Sequence, residues 1–142
     1  MNGSCLCGEV RFAITGAVGS IELCHCRRCR KVSGSAFVSA LVAESKGFRL
    51  ISGSDVIRKF EAPLLKEPPV YTVYFCGTCG SHVPNPEPKG EFMDVPAGLL
   101  DDDPAIKPDK HIFIDLKANW DVITDDLPQY SGAQFRKLKL KQ

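Results

Sequence analysis

No apolar run in this sequence approaches the roughly 20 residues that cross a bilayer as a helix. The opening Met1-Asn2-Gly3-Ser4 is polar and lacks the pattern of a secretory signal, so a membrane partner is not expected. Excess charge is also missing, since 18 Lys plus Arg face 17 Asp plus Glu for a formal net charge of +1. That balance excludes a global electrostatic pull toward nucleic acid or an anionic membrane. Internal repeats and low-complexity segments are absent too. The expected setting is reducing and cytoplasmic, where thiols stay free to hold metal.

What remains is 142 residues, 44% of them apolar, enough for one domain with a real core and too few for two. Residues 9–15 (E-V-R-F-A-I-T) alternate as a half-buried strand does, residues 16–19 form a turn, and residues 20–23 extend toward Cys24. Residues 27–32 make one helical turn stopped by Ser33-Gly34-Ser35, and the apolar run 36–43 suits a central strand. Residues 48–51 and 56–60 read as a hairpin closed by Ser52-Gly53-Ser54-Asp55. A proline-bracketed loop spans 63–69, and residues 70–75 (V-Y-T-V-Y-F) are the strongest strand signal.

Beyond it, Pro84, Pro86 and Pro88 impose a loop, residues 92–98 and 111–115 read as strands, and Asp101-Asp102-Asp103-Pro104 is an acidic turn. Residues 134–142, with Arg136, Lys137, Lys139 and Lys141, read as a solvated basic tail after a single domain over residues 1–133. Many short strands broken by Gly and Pro mean an all-β domain.

The seven cysteines fall into three clusters: Cys5 and Cys7; Cys24, Cys26 and Cys29; Cys76 and Cys79. Metal ligation explains such clustering, because zinc needs thiolates delivered from short, stiff turns. Disulfides fit poorly with an odd count and no secretory signal. Seven divides into four plus three. Cys76 and Cys79 form a knuckle turned by Gly80, and Cys5 and Cys7 supply its second pair as a closed structural site. Cys24, Cys26 and Cys29 then hold a second zinc with one open position. In an extended C-x-C segment alternate side chains oppose, so His25 faces away from that ion as a hydrogen-bonding neighbour. Closure of the site by His25 is the alternative. His82 and His111 read as surface or hydrogen-bonded histidines, and Phe37 and Trp120 as core or pocket walls.

Three motifs carry a family resemblance: Gly3-Ser4-Cys5-x-Cys7-Gly8, then Cys24-His25-Cys26-x-x-Cys29-Arg30-Lys31-x-Ser33-Gly34, then Phe75-Cys76-x-x-Cys79-Gly80-Ser81. With His111-Ile112-Phe113, Ala118-Asn119-Trp120 and Leu127-Pro128-Gln129-Tyr130, they resemble the glutathione-dependent formaldehyde-activating enzyme family from about Gly3 to Tyr130. Asn119 stands where that family is expected to carry proline. The resemblance implies a tent-like all-β fold of short antiparallel strands, stapled by a structural zinc at Cys5, Cys7, Cys76 and Cys79. It also implies a catalytic zinc at Cys24, Cys26 and Cys29, and a carbon–sulfur lyase activity joining glutathione and formaldehyde into S-hydroxymethylglutathione.

Zinc on three thiolates carries a local charge of about −1 and suits a fourth, sulfur ligand. A small-molecule thiol there loses its proton, stays nucleophilic and meets a small aldehyde. Arg27, Arg28, Arg30 and Lys31 crowd this cluster and are the candidates for binding the carboxylates of glutathione or a similar thiol. Two other classes of function compete. One is a non-catalytic zinc module that binds a small thiol or a protein partner. The other is a chromatin- or nucleic-acid-associated module, suggested by the family's centromere-associated branch and opposed by the +1 charge.

Overall fold

A computed structural model describes residues 1–62 and 71–139, backbone only at Lys139. In chain order the elements are β1 (Asn2–Ser4), β2 (Arg11–Ile14), β3 (Val18–Cys24), α1 (Arg27–Ser33), β4 (Val38–Glu44), β5 (Phe48–Ser52) and β6 (Ile57–Ala62). There follow β7 (Tyr71–Cys76), β8 (His82–Val83), β9 (Phe92–Pro96), β10 (Pro108–Ile112), β11 (Gln129–Tyr130) and α2 (Gly132–Lys139). The protein is mostly β.

The strands form three sheets, ordered β1-β2-β5, β11-β10-β3-β4-β9 and β6-β7-β8. The apolar run of β4 takes the interior place its composition suggests, between β3 and β9. Its inward Leu41 and Ala43 meet Phe12, Ile14, Ile21, Leu23, Met93 and Val95 in the main core. A smaller cluster of Cys5, Val10, Cys76 and Val83 lies beneath the first and third sheets. Each fully buried Val, Leu or Phe there contributes about 1.5–3 kcal/mol from burial alone.

Four expectations are corrected. Strands β5 and β6 do not form a hairpin: β5 pairs with β2 and β6 with β7. Gly53 redirects the chain between these sheets at φ +84°, where a Cβ would lie 2.7 Å from the Glu9 carbonyl oxygen. Pairing is not wholly antiparallel, because β10 runs parallel to both β3 and β11. Long crossovers, rather than tight turns, make that possible. The strand placed at 111–115 is β10, ending at Ile112, after which Phe113 turns left-handed at φ +57°.

Last, the basic stretch from Gln134 is helical through Lys139. Ser131 and Gln134 close the α2 N-terminus reciprocally, with Gln134 N donating to Ser131 Oγ at 3.3 Å and Ser131 N to Gln134 Oε1 at 2.8 Å. Phe135 is buried edge-on against Phe113, centroids 5.8 Å apart, while Arg136 and Lys137 stay exposed. The proline-bracketed stretch 63–69, Val70 and Lys141 lie outside the described residues. Among those described, no helix is long and apolar enough to cross a membrane.

Candidate metal centres

Two tight turns bring the first four thiols together. After Cys5 the chain reverses through Gly8, whose N donates to the Cys5 carbonyl at 2.9 Å; at the end of β7, Gly80 N does the same for Cys76 at 2.8 Å. Both glycines sit in the left-handed region, at φ +78° and +76°, which a side chain would strain. The sulfurs of Cys5, Cys7, Cys76 and Cys79 all lie within 4.8 Å of one another. Cys5 and Cys7 are 3.4 Å apart and Cys7 and Cys76 3.8 Å. All seven cysteines are free thiols.

Zinc–sulfur bonds of about 2.3 Å would set tetrahedral sulfurs about 3.8 Å apart, so this donor set fits zinc. Without a cation the four thiols cannot ionise together. Ser81, through its side chain and then its backbone, holds the Cys79 thiol down at about 5. The Glu9 backbone lowers Cys7, but burial and the neighbouring sulfurs outweigh it and push that thiol up to about 12.

The second group straddles a strand end and a helix start. Cys24 closes β3, Cys26 caps α1 by accepting from Cys29 N at 3.4 Å, and Cys29 lies within that helix. Their three sulfurs also fall within 4.8 Å of one another. Among the described residues no histidine, cysteine or carboxylate joins them as a fourth donor. Hydrogen bonds from Cys24 and Cys29 hold Cys26 down at about 2. Contact with Cys24 lowers Cys29, but Cys26 and burial prevail and push it up to about 11. Cys24 is raised by Cys26, Cys29 and burial. Three thiols that resist shared ionisation in this way are a site awaiting positive charge.

This trio opens on a cavity of about 590 Å³ between the five-stranded sheet and β7–β8, where Arg28, Tyr71, His82, Asn85 and Lys89 add polar groups. The Tyr71 hydroxyl lies 3.7 Å from Cys29 Sγ, and the Arg28 guanidinium stacks over the Tyr71 ring at 4.6 Å. Burial, then the Cys29 charge, raises Tyr71, so its O–H stays protonated. Of the four basic residues singled out in the sequence, only Arg28 lines this cavity. Arg27 and Lys31 are exposed around neighbouring hollows, and Arg30 donates to the Leu116 carbonyl at 3.2 Å.

His25 points elsewhere. Its ring is fully buried, with Nε2 2.8 Å from His111 Nδ1 and Nδ1 3.3 Å from Asp121 Oδ2. The latter contact is too poorly aligned for a hydrogen bond, and it becomes an ion pair only when His25 is protonated. Burial and then His111 hold the His25 pKa below its ordinary value, against the pull of Asp121. His111 Nε2 reaches both carboxylate oxygens of Asp125 at 3.1 Å. Phe37 packs on His25 with centroids 5.3 Å apart, whereas Trp120 is 72% exposed and lines no wall of the thiol cavity. Tyr71, Asp121 and Asp125 were not singled out in the sequence. Tyr71 lies within the strongest strand signal, but nothing local marks which neighbour it meets.

A mostly β protein bearing one group of four thiols and one of three, each spaced so that it could hold a metal ion, has the donor sets of a metal–thiolate protein. The family model described as glutathione-dependent formaldehyde-activating enzyme matches residues 1–116, and the chain belongs to that family. A general glutathione-dependent, formaldehyde-activating function comes with that membership. No curated protein sequence matches significantly. A crystal structure of a Rhodobacter sphaeroides protein is similar at TM-score 0.55 and 20% identity, over 91% of this chain and 99% of that one. At that identity the likeness speaks for the fold alone.

Proposed function

We propose that this chain is a zinc-dependent enzyme of the carbon–sulfur lyase type, joining glutathione and formaldehyde into S-hydroxymethylglutathione, in a reducing compartment such as the cytoplasm. The supporting observation is the three-thiol group, which has no fourth protein donor among the described residues and opens on a cavity. Cys24, Cys26 and Cys29 would hold the reactive zinc, and Cys5, Cys7, Cys76 and Cys79 a structural one. Bound there, zinc supplies a soft Lewis acid that favours the deprotonated form of a substrate thiol.

The chain's own residues do the rest. In the reaction the thiol sulfur forms a bond to the formaldehyde carbon, the carbonyl π bond breaks, and the thiol proton ends on oxygen. Tyr71 keeps its O–H beside Cys29 and is placed to donate to the developing alkoxide. Arg28, with its guanidinium over that ring, would offer N–H groups to a glutathione carboxylate. Titration of the zinc-loaded protein with glutathione, followed by exchange NMR of glutathione with formaldehyde, tests the reading. Catalysed exchange above the spontaneous rate, lost in Cys26→Ser, is expected; exchange no faster than without protein overturns it.

A further inference from the structure

Four titratable side chains run in a line behind the three-thiol group: Asp121, His25, His111 and Asp125. Neither histidine lines the thiol cavity, and both are almost wholly buried. A carboxylate only accepts, so His111 Nε2–H donates to Asp125, and one proton bridges His111 Nδ1 and His25 Nε2. The far end is tied down as well. Asp125 Oδ1 accepts from Leu127 N at 3.0 Å, and His111 N donates to the Pro128 carbonyl at 2.8 Å.

The member of the line nearest the thiols, His25, is the residue between two cysteines of the group. Its backbone N donates to the Ile112 carbonyl at 3.0 Å, so the 111–112 segment grips His25 by main chain and ring together. Alternation along the C-x-C segment sends Cys24 and Cys26 to the side opposite the His25 ring. Rotating that ring, or sliding the turn, would break buried hydrogen bonds with no water to replace them. The position of two sulfurs is therefore coupled to residues 86 positions away in sequence.

We propose that His111 and Asp125 are positioning residues for the three-thiol group, holding Cys24 and Cys26 at metal-binding spacing through His25. This rests on the reading that the trio binds zinc. Partners behind a metal site are commonly worth 10–100-fold in affinity, and here the effect is relayed through the peptide of His25.

The four-thiol site provides an internal control, because this string does not touch it. Asp125 suits mutation, since its side chain is 49% exposed and its replacement deprives only buried His111 Nε2 and the exposed Leu127 N of an acceptor. Zinc release from the fully loaded chain to the chelating dye 4-(2-pyridylazo)resorcinol is followed in time. Wild type should give two phases, and Cys26→Ser identifies the phase of the trio by removing it. Asp125→Ala should speed that phase about tenfold, leave the other within about twofold, and be largely rescued by Asp125→Asn, which keeps an acceptor oxygen. Equal acceleration of both phases, no change in either, or an Asn variant no better than Ala overturns the positioning role. A wild type that binds one zinc and releases it in one phase instead overturns the reading that the trio holds zinc, and the positioning role falls with it.

Discussion

The hydroxyl of Tyr71 stands 3.7 Å from Cys29 Sγ, joining the third sheet to helix α1 at the mouth of the thiol cavity. Tyr71→Phe keeps the ring on which Arg28 stacks and removes only the O–H. If that group donates to the developing alkoxide, its loss costs about 1.5–3 kcal/mol of transition-state stabilisation, or roughly 10–100-fold in kcat. The KM for glutathione should barely move. Steady-state formation of S-hydroxymethylglutathione by the variant checks both numbers, and a KM effect without a kcat effect would assign Tyr71 to binding.

Metal content should be close to two zinc ions per chain in protein purified without chelator. Elemental analysis decides this directly, and a value near zero with oxidised cysteines would remove both proposed sites.

Loss of the two sites should have unequal consequences. Structural zinc contributes about 10–16 kcal/mol of apparent binding energy, more than the roughly 5–15 kcal/mol by which domains are stable. Cys76→Ser or Cys5→Ser should therefore fail to fold. Cys26→Ser should keep a cooperative thermal transition while losing thiol binding. Circular dichroism melts of the variants make the comparison, and identical unfolding would erase the distinction between the sites.

Arg28→Ala should weaken glutathione binding roughly 10–100-fold, the loss of one or two charge-assisted contacts. Arg27→Ala and Lys31→Ala should change it little, since neither residue lines the thiol cavity. Calorimetric titration of the three variants separates a specific contact from a general loss of positive charge, which would weaken all three alike.

His82 predicts a pH dependence. Burial depresses its pKa below the ordinary 6.5, so the unfolded chain takes up the proton first as pH falls. The neutral residue's contribution is fully present above 6.5 and declines below it, toward the depressed folded value. Melts at about pH 7.5 and about pH 5.5 should show a smaller drop in Tm for His82→Asn than for wild type. Acid effects on the thiolates are common to both proteins and cancel in the difference.

Local signals in the sequence were readable where short-range geometry decides. Gly80 behind its cysteine pair announced the knuckle that φ +76° realises, and alternation in Cys24-His25-Cys26 turned His25 away from its neighbours. The division of seven thiols into groups of four and three appears in space as spacing suggested. Helix α2 escaped although Ser131 and Gln134 spell a capping box, because the basic residues beyond it dominated the reading. The false hairpin arose at Gly53, whose special conformation answers to the backbone of Glu9 and Val10, far away in sequence. Parallel β10 and the partners of His25 have no short-range signature at all, since pairing across 86 positions leaves no periodic trace.

The placement of the thiols imposes an order on biosynthesis. Cys7 leaves the ribosome 69 residues ahead of Cys76, its neighbour in the four-thiol group, and His25 precedes His111 by 86. At about 5–20 residues per second, Cys7 waits roughly 3–14 s for that partner. For most of that interval the nascent chain presents Cys5 and Cys7 without their second pair, beside a trio whose three thiols have already emerged. An ion captured then by thiols of both clusters would staple them in a non-native set, which the arrival of Cys76 and Cys79 would have to displace.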